Sequence, residues 1–115
     1  MHTTARRRPL IVNADDFGRS REINEAVLRA YRDGILTTAS LMVTGEACAE
    51  AVAMARDHPG LGVGLHLTLV HGTPALAASI RSGVARRDGR FSENAPWTGF
   101  RYWARRGLRA SLRDE

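Results

Sequence analysis

The sequence predicts an α/β fold, a β-α-β-α-β run over roughly the first 70 residues that forms a parallel sheet with right-handed crossovers. Three observations predict it. Short apolar runs that read as strands lie at Pro9–Asn13, Thr38–Val43 and Gly62–Leu69. Two segments with helical signals lie between them, and the connections are only a few residues long. Strands arranged this way point their carboxyl ends to one edge, where loops build sites.

The elements follow in order. Pro9-Leu10-Ile11-Val12-Asn13 is an apolar run with Pro at its entry, readable as a buried strand. Ser20 is an N-cap, Glu22 adds an acid to the first turn and Gly34 stands just past the end. Between these signals Ile23, Ala26, Val27, Ala30 and Tyr31 trace one helix face. Thr38–Val43 is the second strand, ended by Gly45, and Glu46–Asp57 is an Ala-rich helix packing through Cys48, Ala51, Val52 and Ala55. Pro59-Gly60 closes it. Val63, Leu65, Leu67 and Leu69 then alternate with Gly62, Gly64, His66 and Thr68, a period-2 strand with one aliphatic face.

After Val70 the texture changes. His71-Gly72-Thr73-Pro74 is a loop and Asp88-Gly89 a tight turn. A helix beginning near Phe100, with Trp103 and Leu108, puts Arg101, Arg105, Arg109 and Arg113 on its far side. It runs to the last residue with no stop signal. Residues 1–115 thus read as one α/β domain, motif-bearing over 9–76 and Arg-rich and partly irregular over 77–115.

Composition narrows the function. The 115 residues are 43% hydrophobic and 25% charged, which excludes a disordered or fibrous chain. The net charge of +5 lies wholly in residues 81–115; residues 1–80 sum to zero. Every basic residue is Arg, and the stripe reads as a solvated helix face without a nucleic-acid motif. The single Cys48 forms no intrachain disulfide and reads as core packing. No apolar run approaches the ~20 residues of a membrane span. The apolar run after Arg6-Arg7 is too short for a signal peptide or twin-arginine signal, so a cytoplasmic protein is expected.

Two stretches sit where chemistry is expected. Asn13-Ala14-Asp15-Asp16-Phe17-Gly18 lies at the carboxyl end of the first strand, and Gly64-Leu65-His66-Leu67-Thr68-Leu69 lies on the third. A carboxylate and an imidazole suit a divalent cation, and a second carboxylate beside it serves as general base. Two protein ligands are fewer than the three usual in a catalytic zinc site. Bland readings stand beside these: Asp15-Asp16 as a turn or helix cap, His66 as an interior histidine, and His2, His58 and His71 as ordinary surface residues. Trp97, Tyr102 and Trp103 either line a sugar subsite or pack in a core.

In order and spacing these stretches resemble the YdjC-like carbohydrate deacetylases. The matching residues are Asn13–Gly18, Ser20, Asn24 and Ala26, then Gly34-Ile35-Leu36-Thr37, Ala39-Ser40-Leu41-Met42, and Gly62–Leu69, over about residues 9–76. The resemblance implies a TIM-barrel-like fold, similar to that of polysaccharide deacetylases, of which this chain carries the start. It also implies removal of an N-acetyl group from an amino sugar with one divalent metal ion, magnesium or zinc. On that mapping Asp15 is the general base, Asp16 and His66 bind the metal, and Ser40 and Thr68 line the pocket. The family completes its metal site with a downstream His motif that these residues lack, so the chain alone is expected to be weak or inactive and to expose apolar sheet edge, with self-association as a consequence. Asp88-Gly89-Arg90-Phe91 and the aromatic–Arg stretch are similar to the branch associated with hopanoid biosynthesis, which implies a lipid-linked substrate and peripheral contact with an anionic membrane.

Three rivals are weaker. A receiver module needs an Asp after its third strand and a Lys after its fifth; the third strand offers His66 and the chain has no Lys. A nucleic-acid-binding domain rests on the Arg-rich tail alone. A magnesium-dependent phosphoryl-transfer enzyme would use Asp15 and Asp16, releasing phosphate in place of acetate.

Overall fold

The computed structural model describes residues 8–114; His2 and the Arg6-Arg7 pair lie outside them. The first half has the expected order: β1 (Asn13–Phe17), α1 (Arg21–Asp33), β2 (Thr38–Leu41), α2 (Cys48–Asp57) and β3 (Gly62–Leu65). The strands form one sheet in the order β1-β2-β3, with both pairs parallel. Helices α3 (Ala78–Ser82), α4 (Ala95–Ala104) and α5 (Arg106–Asp114) follow.

The first strand is displaced from its expected place. Leu10 and Ile11 are exposed, whereas the more polar Asn13-Ala14-Asp15-Asp16-Phe17 forms β1. Long-range pairing decides this, because Asn13 pairs with Thr38, Ala14 with Ala39 and Phe17 with Leu41. Two residues separate Ala14 from Phe17, while Ser40 alone separates Ala39 from Leu41. Asp15 and Asp16 therefore form a bulge opposite Ser40, and Asp16 takes a left-handed φ of 63°, which aspartate tolerates better than most residues. Before β1, the Val12 N–H donates to Thr37 Oγ1 at 3.0 Å and the Val12 carbonyl accepts from the Thr37 and Thr38 amides.

Helix α1 begins and ends where its signals lie. Ser20 Oγ accepts from the Ile23 amide, and a hydrogen bond with Ser20 also holds the Glu22 carboxyl below its ordinary pKa. Its inward face differs from the apolar pattern. Val27 is buried, but Ala26 and Ala30 are exposed, and the most enclosed side chain is Asn24, 0% exposed. Phe17, Val27, Leu36, Ala39, Ala51 and Leu61 form the core between sheet and helices, with Ile23, Tyr31, Leu41 and Met54 against it. Helix α2 starts at Cys48, two residues later than expected, with Ala51 fully buried.

Strand β3 is shorter than its period-2 pattern. It ends at Leu65, although the His66 amide still donates to the Leu41 carbonyl at 2.9 Å. Its apolar residues are open, Val63 at 40% and Leu65 at 64% exposed, and Leu67 just beyond it is 75% exposed. The expected apolar sheet edge is therefore present.

The Arg-rich segment departs most from expectation. The helix begins at Ala95, capped by Asn94 Oδ1 accepting from the Trp97 amide, and breaks at Arg105, whose backbone is extended. Tyr102 and Leu108 share one cluster with Val84, Ala85 and Phe91. Six residues apart on a continuous helix they would face about 120° apart; the break turns both inward. Arg101 is not on a solvated stripe, since its Nη2 donates to the Gly83 carbonyl at 2.6 Å. Trp103 is 73% exposed, and Trp97 and Phe100 are exposed as well.

The molecule is long, with extents of 63 × 37 × 21 Å. Its radius of gyration is 18.0 Å, against about 13 Å for a compact domain of this length. No helix among the described residues is long and apolar enough to cross a membrane.

Tyr102 gives the second cluster a pH signature. Its hydroxyl donates to the Val84 carbonyl at 3.0 Å. Burial raises its pKa above the usual value, against a smaller lowering by Arg101. The folded state thus keeps a proton that the unfolded chain releases, so this contribution is full below about pH 10 and is lost as pH rises through the raised folded value. Denaturation midpoints are expected to fall between pH 8 and pH 10.5 in the wild type and to fall less in Tyr102→Phe, which itself costs about 1 kcal/mol at neutral pH. Equal slopes in the two proteins would contradict this.

Candidate functional site

Parallel pairing brings the carboxyl ends of β1, β2 and β3 to one edge, and three side chains singled out in the sequence meet there. His66 Nε2 lies 3.8 Å from Asp16 Oδ1. His66 Nδ1 lies 3.3 Å from the Asp16 amide, positioned to accept its N–H, and 3.4 Å from Ser40 Oγ. Asp15 Oδ1 accepts from Ser40 Oγ at 2.7 Å and from Asn13 Nδ2 at 2.9 Å. Asp15 is exposed, while Asp16 and His66 are half-buried.

Beyond these three, the site includes residues that sequence reasoning did not place. Arg19 Nη1 forms an ion pair with Asp16 Oδ2 at 2.9 Å, so the two oxygens of that carboxylate face different partners. Asn24 Oδ1 accepts from the Gly18 amide at 2.7 Å, and its Nδ2 donates to the Ala47 carbonyl and Glu50 Oε2. That holds the turn after β1 against the start of α2. The approach there is close: a Cβ on Gly45 would lie 2.2 Å from the Gly18 carbonyl oxygen. The bond between Ser40 and Asp15 depends on strand register, which no local pattern announces.

Thr68 Oγ1 donates to the His66 carbonyl at 3.5 Å. Thr68 lines a cleft of about 200 Å³ with Asp16, Arg19, Met42, His66 and His71. A larger cleft of about 360 Å³ lies beside it, sharing Arg19, Met42 and His71 and adding Glu46, Arg90 and Glu93. Trp97, Tyr102 and Trp103 line neither cleft; Tyr102 packs in the second core and the tryptophans lie on α4. His58 is engaged away from the site, accepting from Arg32 at Nε2 and bonding the Met54 carbonyl through Nδ1.

The donor set can be compared with a metal centre. A tetrahedral cation with bonds of about 2.1 Å sets ligand atoms about 3.4 Å apart, near the 3.8 Å between Asp16 Oδ1 and His66 Nε2. The chemistry of an oxygen and a nitrogen donor suits Zn²⁺ or a harder divalent ion. Among the described residues no cluster supplies three His, Cys, Asp or Glu donors. Asp16 and His66 thus fit as part of a cation site.

A parallel sheet that gathers two carboxylates and an imidazole at the carboxyl ends of its strands has the layout of an α/β enzyme site. The chain belongs to the YdjC-like protein family, whose pattern it matches over residues 9–115. It is 52% identical over 65 residues to a carbohydrate deacetylase of Brevibacillus brevis, covering 56% of this chain and 26% of that protein. It is 48% identical over 65 residues to a chitooligosaccharide deacetylase of Serratia marcescens, with the same two coverages. The chain therefore spans about a quarter of the length of these relatives. Among solved structures it resembles an Enterococcus faecalis V583 protein named for cellobiose-phosphate cleavage, with a TM-score of 0.68 and 30% identity over 74% of this chain and 34% of that one.

Proposed function

We propose that this chain contributes part of the active site of a cation-dependent carbohydrate deacetylase, with Asp15 as general base and Asp16 and His66 as cation ligands. The observation that carries the reading is the meeting of these three side chains, from β1 and the end of β3, at one sheet edge beside an open cleft. The names of the relatives support the choice of reaction and substrate class.

The reaction adds water to an acetamido carbon, breaks the C–N bond and releases acetate and an amine. When bound, a divalent cation such as Zn²⁺ or Mg²⁺ supplies Lewis acidity toward the acetyl carbonyl and water. Asp15 takes the proton from the attacking water and passes it on to the departing nitrogen as the C–N bond breaks, so that acetate and the amine leave. Ser40 and Asn13 occupy Asp15 Oδ1 and fix the carboxylate's rotation, which leaves Oδ2 without a hydrogen bond among the described residues. The Arg19 guanidinium holds the outer oxygen of Asp16, so that Oδ1 is the one turned toward His66.

A third ligand belongs, on this reading, to a histidine outside these 115 residues, within a TIM-barrel-like whole. The same reading extends to an N-acetylated, lipid-linked substrate of hopanoid type approached at an anionic membrane, supported by Asp88–Phe91 and the Arg-rich helices, and to self-association through the open edge at Leu65 and Leu67. The test measures bound zinc and acetate release from N-acetylglucosamine oligomers by this chain and by a C-terminally extended form. Metal-dependent acetate release, strong in the extended form and weak in this chain, is expected. Phosphate release from phosphorylated sugars without any acetate would transfer the site to phosphoryl chemistry.

A further inference from the structure

The larger of the two clefts takes one wall from the Arg-rich segment. Phe91 is buried in the second core, and the chain beside it is bonded to the loop after β3. The Phe91 N–H donates to the Gly72 carbonyl at 2.8 Å, and the His71 N–H to the Ser92 carbonyl at 3.2 Å. The Arg90 amide donates to Asp88 Oδ1 at 3.1 Å, and the Arg90 carbonyl accepts from the Arg86 amide at 2.8 Å. So held, Arg90 and Glu93 line the cleft together with Arg19 and Glu46, which follow β1 and β2. The side chains of Glu46, Arg90 and Glu93 make no hydrogen bond or ion pair among the described residues, and Arg19 gives only Nη1 to Asp16. Two guanidiniums and two carboxylates leave this lining without net charge. A phosphate or carboxylate entering it would face Glu46 and Glu93, whereas hydroxyl groups, each a donor and an acceptor, satisfy both kinds of side chain. The volume of about 360 Å³ is that of a small-ligand pocket, and the 200 Å³ cleft at Asp16 and His66 is smaller than the usual range. A ligand reacting in the smaller cleft therefore extends into the larger, across the shared Arg19, Met42 and His71.

We propose that Arg90 and Glu93 are specificity-determining residues which, with Arg19 and Glu46, bind an uncharged, hydroxyl-bearing ring next to the sugar that reacts beside Asp16 and His66. The choice of a sugar rests on the function proposed above; the preference for a neutral polar ligand is a property of the cleft. The second core thereby acquires a task in recognition, because burial of Phe91 fixes the two charged residues at the edge of the site. Both lie beyond the motif-bearing residues 9–76, so this wall can vary while the reacting side chains stay the same.

The test is an amide ¹⁵N NMR titration of this chain with N-acetylglucosamine and with its β-linked dimer. The dimer is expected to shift the amides of residues 44–46, 71–73 and 90–93 and to bind about 10-fold more tightly than the single sugar. Arg90 and Glu93 are exposed and belong to neither core, so Arg90→Ala and Glu93→Gln keep the fold. Each should weaken the dimer about 10-fold and the single sugar far less. Dimer shifts that leave out residues 90–93, or variants that weaken both sugars equally or neither, would overturn the proposal. Inorganic phosphate at the same concentration should leave the dimer in place; displacement would give the cleft to an anion and overturn it as well. Acetate release separates this from the wider reading. In a C-terminally extended form, Arg90→Ala should raise KM for the dimer more than it lowers kcat. The same KM in wild type and Arg90→Ala would remove the subsite and leave the deacetylase reading standing. No acetate from the wild type, with the dimer shifts at residues 90–93 intact, would end the deacetylase reading and leave the subsite.

Discussion

Asp15→Asn, placed in a deacetylase that carries this segment, is expected to lower the turnover of acetate release by about 100- to 10,000-fold, the range that a positioned general base contributes. The substitution keeps the shape of the side chain, and its Oδ1 can still accept from Ser40 and Asn13. What it removes is the ability to take up a proton, so zinc content should be unchanged and the loss should fall on kcat more than on KM. Asp16→Ala and His66→Ala should differ in kind. Each removes one of the two donors that face each other at 3.8 Å, so bound zinc should fall along with activity. Metal analysis beside initial rates for the three variants separates the roles. Full activity in all three would remove the site from the reaction, and zinc loss in Asp15→Asn alone would reverse the assignment of the two carboxylates.

Asn24→Leu is the second large expectation, and it acts on stability. Asn24 is fully buried, and it satisfies the Gly18 amide, the Ala47 carbonyl and one oxygen of Glu50. Leucine is similar in size but offers no polar atom. The Gly18 N–H would then lose its partner in a closed space, at about 1–3 kcal/mol, while the Ala47 carbonyl keeps its bond from the Ala51 amide and the half-exposed Glu50 can turn to water. A loss of about 1–3 kcal/mol follows, read as a lower urea midpoint with an unchanged slope. That is a large share of the total stability of a domain this size. A loss below about 1 kcal/mol would show that Asn24 is not a principal tie between α1 and α2.

The uneven legibility of the sequence follows from what is local. Helix α1 was readable because Ser20, Glu22 and Gly34 act within one turn of its ends. Its buried face was not, because a fully satisfied asparagine packs like an apolar residue while reading as a polar one. Apolar content placed the first strand at Pro9–Asn13, but partners on β2 place it at Asn13–Phe17. Arg105 carries no breaker signal; the helix stops there because Tyr102 and Leu108 must reach the same cluster. Asp15, Asp16 and His66 stood out as chemically distinctive residues at strand ends. Ser40 and Asn13 entered only through the family resemblance and Arg19 not at all, since their importance lies in partners set by register and by the turn after β1.

The bulge at Asp15 and Asp16 also bears on how such a site could be copied. In a regular strand, neighbouring side chains leave on opposite faces of the sheet, and one of two adjacent carboxylates would be lost to the far side. Here a single extra residue and one left-handed backbone angle let both carboxylates serve the same edge. A designer transplanting these side chains onto a flat strand would carry over every functional group and still not obtain the site. The surplus residue in the pairing is as much a component of it as either aspartate.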